Sequence, residues 1–188
     1  GGVLEILKET NIDQVSKDEY LNAKVDRPVF CNLQTCDYLI HSKKNIFDLS
    51  HFIKFPKEYA SSALEYLKIS DVFISAHYWD PSSPKIFEKN HINQLSKLQV
   101  IGDITCDVDG SIPTTIKSTS IEYPNFYLDK KTMTETEISE NNLAIMAVDN
   151  LPSELPRDSS IEFGDGVFKH VLPFLINEDD GRILNSTI

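Results

Sequence analysis

The sequence predicts an α/β domain in which helices cover both faces of a parallel sheet. Short apolar runs alternate along the chain with segments of helical periodicity, the pattern of parallel strands joined by crossover helices. The runs are continuously apolar, as expected for strands buried on both faces. With 188 residues, 40% of them hydrophobic, the chain suits one domain with a substantial core.

The first half of the chain predicts short elements and one longer helix. In chain order these are a helix over 3–9, a strand over 12–16, a helical turn over 17–21, a mixed, strand-leaning segment over 28–40 and a helix over 56–67. The longer helix rests on two features. Pro56 suits the first turn of a helix, and Tyr59, Ala63 and Leu67 fall on one apolar face.

The second half carries the clearest apolar runs. The predicted elements are strands over 71–76, 98–101 and 143–148, helices over 86–95, 156–163 and 166–176, an irregular polar segment over 114–131, a surface hairpin or loop over 130–142 and a polar tail over 177–188. The strand runs are four to six residues long and rich in Val, Ile and Leu. They therefore supply the predicted parallel sheet.

Polar side chains follow the predicted strands at their carboxyl ends. These residues are His77, Asp103, Asp107 and Asp149. In open α/β sheets, ligands bind in the crevice outside the carboxyl ends of the strands. The sequence therefore predicts a binding crevice there, with Asp103 and Asp107 at it; of the two, Asp103 is expected to brace the loop.

Each of these residues also has a plain structural interpretation. Asp and Gly after a strand are ordinary turn residues, and Asp109-Gly110 is a common turn pair. A lone histidine such as His77 is more often a hydrogen-bonded structural residue than an acid or base. Cys106 lies between carboxylates, which raise the pKa of a thiol, so it is a poor nucleophile.

Composition and charge exclude several classes of function. The formal net charge of −11 opposes binding to nucleic acid phosphates and to anionic membranes. No run approaches the roughly 20 apolar residues of a membrane-spanning helix. The three cysteines form no CxxC pair, which predicts reduced thiols and a cytoplasmic location. The five histidines are scattered, so no metal site is predicted.

Two segments carry a family resemblance. Residues 100–110 (VIGDITCDVDG), followed by 119–124 (TSIEYP), and residues 147–160 (AVDNLPSELPRDSS) resemble the saccharopine dehydrogenases and lysine–ketoglutarate reductases. They resemble the alanine dehydrogenase and transhydrogenase group more distantly. His77-Tyr78-Trp79 and Phe163-Gly164-Asp165 are similar to the reductases' "GIYW" and "FGD". Two departures are mild: Asp158 stands where Glu is usual, and Ser159 replaces Ala.

The resemblance implies a Rossmann-like domain that binds NAD or NADP. The implied reaction is the reduction of the imine of lysine and 2-oxoglutarate to saccharopine, or the reverse. Gly1 and Gly2 match the end of a Gly-rich loop, so we expect the first Rossmann strand and a separate N-terminal substrate domain to be missing. Residues 1–188 would then be a cofactor-domain fragment, inactive alone.

The resemblance also implies roles for single residues. Asp107 matches the catalytic aspartate beside the nicotinamide. The segment of Asp149, Asn150 and Leu151 matches the contacts to the nicotinamide ribose and carboxamide. Other implied cofactor contacts are the backbone of Ala76 and His77, and Gly1 and Gly2 at the pyrophosphate, which a helix amino end favours.

The cofactor's identity depends on the residue after the second Rossmann strand. NAD enzymes usually place an acid there, on the ribose 2′-hydroxyl. Here the position is about Ser16, followed by Lys17, which favours NADPH over NADH. Asp13 and Asp18 are near enough to reverse this preference. Two other functions stay open: an alanine dehydrogenase, which the "DNLP" and "FGD" segments oppose, and a cofactor-binding module without activity.

Overall fold

A computed structural model describes residues 2–22, 26–44, 46–176 and 181. Gly1 and all of the predicted tail except Gly181 lie outside the described residues. The chain divides after Asp149 into two compact units, and each is described by itself.

The first unit holds five short helices and nine strands among its described residues. In chain order they are α1 (Gly2–Lys8), β1 (Asp13–Gln14), α2 (Lys17–Asn22), β2 (Val29–Phe30), α3 (Thr35–Tyr38), β3 (Leu39–His41), α4 (Leu49–Lys54), β4 (Tyr59–Ser61), α5 (Leu64–Leu67), β5 (Val72–Ser75), β6 (Val100–Asp103), β7 (Asn125–Leu128), β8 (Glu135–Thr136) and β9 (Leu143–Met146). Two 3₁₀ turns add Pro56–Glu58 and Lys89–Gln94.

The main sheet has five strands in the order β5-β6-β9-β7-β8. Strands β5, β6 and β9 are parallel, whereas β7 is antiparallel to both β9 and β8. The α/β class is thus confirmed, with a Rossmann-like parallel half and an antiparallel half. Strands β1 and β2 pair in parallel, and β3 and β4 pair antiparallel, in two further small sheets.

One face of the main sheet forms the core. Phe73, Ile101, Ile145 and Phe126 lie in register across four strands, and Ile101 and Ile145 are completely buried. Because side chains alternate along a strand, the residues between them face the other way. On that opposite face Val72 and Ile74 of β5 are 55% and 40% exposed. The predicted strand over 71–76 therefore exists, but as a partly exposed edge strand.

The predicted helix over 56–67 is wrong. Residues 56–58 form a 3₁₀ turn, Tyr59 to Ser61 form β4, and only Leu64–Leu67 is helical. Tyr59 pairs with His41 of β3 and is buried. The apolar spacing suits either structure locally, and the pairing with β3 decides for strand.

Two further predictions are corrected by tertiary contacts. The helix over 86–95 shrinks to the 3₁₀ turn Lys89–Gln94; Ile86 and Phe87 lie before it in the core, and the N–H of Ile86 donates to the carbonyl of Ser111 (3.0 Å). The irregular segment over 114–131 contains β7, which buries Phe126 and Leu128. The segment over 130–142, predicted to be a surface hairpin or loop, contains the second strand, β8, of a hairpin whose first strand, β7, lies before it.

The second unit begins at Asn150. It contains a 3₁₀ turn, Leu151–Glu154, then α6 (Pro156–His170) and α7 (Leu172–Ile176). Two helices cover the predicted range, but α6 continues through Gly164 and Gly166, where the sequence predicted a break, and the break falls at Val171 instead. Pro156 stands in the first turn of α6, where its missing N–H costs no hydrogen bond.

Candidate functional site

The candidate site lies at the carboxyl edge of the parallel strands. Ser75 ends β5, Asp103 ends β6, and Asp149 follows β9 by three residues. The N–H of Ile104 donates to the carbonyl of Ser75 (2.8 Å), which joins the first two strand ends. The structure thus brings together the strand-end segments of the first unit that the sequence predicted would meet.

Asp103 is a buried structural carboxylate. It is 0% exposed, and three groups donate to it: the N–H of Thr105 (3.1 Å), the hydroxyl of Thr105 (2.6 Å) and the hydroxyl of Thr115 (2.6 Å). Thr105 opens the loop after β6 and Thr115 lies near its end. The prediction that Asp103 braces this loop is confirmed.

The loop after β6 holds Asp107 in an unusual backbone. Cys106 and Asp109 adopt positive φ angles of 50° and 54°, a conformation that costs conformational free energy for residues other than glycine. The N–H of Gly110 donates to the carbonyl of Asp107 (2.9 Å) and closes the predicted Asp109-Gly110 turn. A Cβ at Gly110 would lie 2.5 Å from the Cβ of Asp107, so this close approach requires glycine.

Asp107 itself is exposed on this turn. Within the described part of the chain, its carboxylate accepts no hydrogen bond, in contrast to Asp103. It is near enough to Cys106 that its charge acts on the thiol. Burial raises the pKa of Cys106 most, and the charges of Asp107, Asp103 and Asp149 raise it further. This agrees with the prediction that Cys106 is a poor nucleophile.

Two lysines hold the turn from outside, and sequence reasoning missed both. The Nζ of Lys85 donates to the carbonyl of Asp109 (2.9 Å), and the Nζ of Lys89 lies 2.9 Å from its Oδ1. The hydrogen bond from Lys89 lowers the pKa of Asp109. The lysines are about 20 residues from Asp109 in sequence, so no local pattern could have identified the contact.

His77 follows β5 at the same edge. Its Nδ1 lies 3.0 Å from the hydroxyl of Ser75, and its Nε2 is buried without a partner among the described residues. Burial lowers the pKa of His77, and the charges of Asp103 and Asp107 partly oppose this. The imidazole is therefore neutral near pH 7. The preceding residue, Ala76, is exposed.

Asp149 borders a polar cavity of about 570 Å³ in the first unit. Its lining includes Lys117, Thr119, Asn125 and Glu135. Lys117 is already paired with both oxygens of Glu135 at 2.7 Å. The cavity continues the carboxyl edge of β9 toward β7.

Asn150 and Leu151 open the second unit. The carbonyl of Asn150 accepts the N–H (3.1 Å) and the hydroxyl (2.7 Å) of Ser153, which shapes the 3₁₀ turn. Asn150 lines a cavity of about 630 Å³ together with Ser153, Ser159 and Phe163. Leu151 is 37% exposed.

The predicted contacts near the amino end lie outside the main sheet. Ser16 follows β1, and its hydroxyl accepts the N–H of Glu19 (3.2 Å) at the start of α2. Lys17 forms an ion pair with Asp37, and this hydrogen bond raises the pKa of Lys17. Gly2 begins α1, and a Cβ added there would meet no atom within 4 Å, so its position would admit a side chain. Gly1 lies outside the described residues.

One cluster has the side chains of a metal site. Ligand atoms of His41, His51 and Glu58 lie within 4.8 Å of one another. However, the Nδ1 of His41 accepts the backbone N–H groups of Lys43 (3.0 Å) and Lys44 (3.3 Å).

Because those N–H groups only donate, Nδ1 of His41 carries no proton. Its Nε2 therefore carries the ring hydrogen and donates to Glu58 at 3.2 Å. A metal on Nε2 needs the opposite arrangement, with the proton on Nδ1. The geometry is thus that of a hydrogen-bond network, and the prediction of no metal site stays a prediction.

Among the described residues, no helix combines the length and apolar character needed to cross a membrane.

The fold and the strand-end residues define a class, a Rossmann-like α/β domain with its candidate site at the carboxyl edge of the parallel strands. Residues 31–185 match the family described as alanine dehydrogenase/PNT, C-terminal domain. The chain belongs to this family, whose members are oxidoreductases that use a nicotinamide dinucleotide.

Curated relatives agree with this assignment at low identity. The mouse protein alpha-aminoadipic semialdehyde synthase, mitochondrial, is 22% identical over 161 residues, which cover 75% of this chain and 17% of that protein. The Arabidopsis thaliana alpha-aminoadipic semialdehyde synthase is 27% identical over 160 residues, covering 80% of this chain and 15% of that protein. Saccharopine dehydrogenase [NAD(+), L-lysine-forming] of Schizosaccharomyces pombe is 28% identical over 107 residues, covering 55% of this chain and 27% of that protein. The chain thus spans under a third of each.

Proposed function

We propose that this chain is the cofactor domain of a saccharopine-type oxidoreductase, which reduces the imine of lysine and 2-oxoglutarate or catalyses the reverse. The observation that carries the proposal is Asp107, an exposed carboxylate on a braced turn at the carboxyl end of a central parallel strand. The names of the relatives support the substrates. The acid–base residues of the reaction are proposed to lie in a separate N-terminal domain.

The described residues fit the nicotinamide dinucleotide that the family implies. The carboxyl edge of the parallel strands is the place where such sheets bind ligands. Among the described residues, the exposed carboxylate of Asp107 accepts no hydrogen bond, and the buried Nε2 of His77 has no hydrogen-bond partner either. The bound cofactor would supply or accept the hydride.

The chain's own residues would bind and orient. The carboxylate of Asp107 would hold the substrate ammonium or stabilise the positive charge that develops as hydride leaves; it need not transfer a proton itself. As the resemblance implies, Asn150 and Leu151 would contact the nicotinamide ribose and carboxamide, with Asp149 in the same segment. The backbone of Ala76 and His77 would contact the cofactor, and the resemblance assigns Gly1 and Gly2 to the pyrophosphate.

The choice between NADPH and NADH depends on Ser16 and Lys17. The neutral hydroxyl and the lysine favour a 2′-phosphate, whereas the ion pair of Lys17 with Asp37 opposes it, because the phosphate must compete with that carboxylate. The fission-yeast relative is named for NAD(+). We propose that NADPH binds more tightly than NADH, since its 2′-phosphate carries more negative charge than the carboxylate of Asp37.

The cysteines of the chain favour a location in a reducing cellular compartment. Cys31, Cys36 and Cys106 are free thiols. The proposed location is the cytoplasm, while the mouse relative's name places that protein in mitochondria.

The alternative that a specific observation favours is an alanine dehydrogenase, because the family description names that enzyme. It would act on pyruvate and ammonia. A cofactor-binding module without activity is the third candidate.

One assay on the full-length gene product separates these candidates. Consumption of reduced cofactor is followed with lysine plus 2-oxoglutarate and with pyruvate plus ammonia, each with NADPH and with NADH. We expect turnover only with lysine and 2-oxoglutarate, with a lower KM for NADPH. Turnover with pyruvate and ammonia favours the alanine dehydrogenase, and no turnover in any mixture favours the module.

The variant Asp107→Ala tests the residue that carries the proposal. Turnover should fall by about 100-fold or more, because a preorganised charge at the reacting centre is lost. The melting temperature should change little, since the side chain is exposed and accepts no hydrogen bond in the described part of the chain. Turnover close to that of the wild type would remove Asp107 from the mechanism.

A further inference from the structure

The turn that carries Asp107 is held by two ammonium groups from one segment. Lys85 donates to the backbone carbonyl of Asp109, and Lys89 pairs with the carboxylate of the same residue, both at 2.9 Å. Asp109 is therefore held at its main chain and at its side chain. Both contacts come from the stretch between β5 and β6.

This segment is a rigid support. Ile86 and Phe87, which follow Lys85 directly, are 5% and 2% exposed and belong to the core. The N–H of Ile86 donates to the carbonyl of Ser111, which lies just past the turn (3.0 Å). Lys89 begins a 3₁₀ turn in which Ile92 is also buried. The ammonium groups thus extend from fixed backbone onto the turn.

Asp109, which both lysines contact, has a backbone conformation that requires stabilising contacts. Asp109 has a φ of 54°, a conformation that is costly for a residue other than glycine and persists only where its surroundings favour it. Its N–H donates to the carbonyl of Thr115 (3.1 Å), while the carbonyl of Asp107 accepts from Gly110. If Asp109 left this conformation, that last bond would break and Asp107 would move.

The two lysines are not equivalent. Lys89 is 54% exposed and faces a carboxylate that is 64% exposed, an arrangement that typically contributes little. Lys85 is half-buried, and its acceptor is a carbonyl, so the bond fixes the main chain of the turn directly. The larger effect is therefore expected from Lys85.

We propose that Lys85, assisted by Lys89, is a positioning residue that fixes the turn carrying Asp107 and thereby the location of its carboxylate. This inference rests on the proposed function, because it assigns Lys85 a role through Asp107. Lys85 itself need not touch substrate or cofactor.

The test is Lys85→Met in the full-length gene product, assayed with lysine, 2-oxoglutarate and reduced cofactor. We expect kcat to fall about tenfold, because a small displacement of a reacting group has large kinetic effects. The KM for the cofactor should change less than twofold. Lys85→Arg, which keeps a donor at the carbonyl, should restore most of kcat.

Lys97→Met is the matched control. Lys97 likewise donates to a backbone carbonyl, that of Ile69 (3.0 Å), and lies 3.3 Å from the carboxylate of Asp71. It makes the same kinds of bonds with no contact to the Asp107 turn. Lys97 is 55% exposed, so Lys97→Met should lower the melting temperature no more than Lys85→Met and should leave kcat unchanged. An equal loss of kcat in both would mean general destabilisation and would overturn the proposal.

A double variant tests whether Lys85 affects turnover only through Asp107. If Lys85 acts only by positioning that carboxylate, Lys85→Met should cause no further loss of turnover in an Asp107→Asn background. A further tenfold loss there, or unchanged kcat in the single variant, would overturn the positioning role. If Asp107→Asn itself turns over like the wild type, Asp107 has no role in turnover and the positioning role of Lys85 fails with it. The proposed function fails only if the wild type shows no turnover with lysine and 2-oxoglutarate, so the two failures are distinguishable.

Discussion

At the residue scale, burial separates two carboxylates that are four positions apart. Asp103 is completely buried and accepts three hydrogen bonds, whereas Asp107 is exposed on a strained turn. A buried carboxylate is tolerated only when its oxygens are satisfied, which suits a structural role. An exposed one retains charge for a ligand. The same residue type thus stands in two environments, one at the end of β6 and one on the turn that follows it.

His77 predicts a measurable pH dependence of stability. Burial lowers its folded-state pKa from the usual 6.5. As the pH falls below that value, the unfolded chain binds a proton that the folded chain excludes, so the free energy of unfolding decreases. Chemical denaturation should show this loss as the pH falls below about 6.5, and His77→Gln should reduce it.

His91→Gln is the matched control, since it removes another half-buried imidazole of the first unit. The decrease in the free energy of unfolding that His77 causes at low pH should persist in this variant. Parallel pH profiles for the wild type and His77→Gln would contradict the assignment.

At the element scale, β7 converts a segment predicted to be irregular into part of the core. Its polar neighbours and Pro124 conceal a short alternation in which Phe126 and Leu128 face inward. Pairing with β9 on one side and β8 on the other makes the strand stable. Four residues are too few for a periodic pattern to stand out.

The variant Leu128→Ala tests the importance of this strand. Leu128 is 0% exposed, so removing its side chain should lower the free energy of unfolding by about 2–5 kcal/mol, from lost burial and the cavity left behind. Leu49→Ala in α4 is the control, because Leu49 is 57% exposed and its loss should cost under about 0.5 kcal/mol. Equal losses in urea denaturation would argue against a core position for β7.

At the whole-molecule scale, charge limits the partners. The chain has 29 acidic and 18 basic residues. Nucleic acid binding draws its affinity from cations that displace condensed counterions, and an acidic chain opposes this. Small, zwitterionic substrates face no such general barrier.

We therefore expect no binding of duplex DNA at about 150 mM salt, measured as fluorescence anisotropy of a labelled duplex titrated with protein. An unchanged signal up to micromolar protein is the expected outcome. A saturable rise that weakens with added salt would reveal a local basic surface and contradict the charge argument.

The fold class and the strand-end site were accessible from sequence because their signals are local. Continuous apolar runs identified β6 and β9, and polar residues directly after them marked the carboxyl edge. The brace role of Asp103 and the Asp109-Gly110 turn followed from the same spacing. The family resemblance rested on contiguous segments, which a single chain displays in full.

Tertiary structure decided what depends on distant partners. Residues 56–67 have apolar spacing suited to a helix, yet β3 pairs with Tyr59 to Ser61 and makes them a strand. Lys85 and Lys89 reach Asp109 across more than 19 residues, and Lys17 meets Asp37 instead of standing free. Sequence alone determined the fold class, the polar residues at the strand ends and the family resemblance. Contacts between distant residues, whose free energy no local pattern contains, decided how those polar residues are held in place.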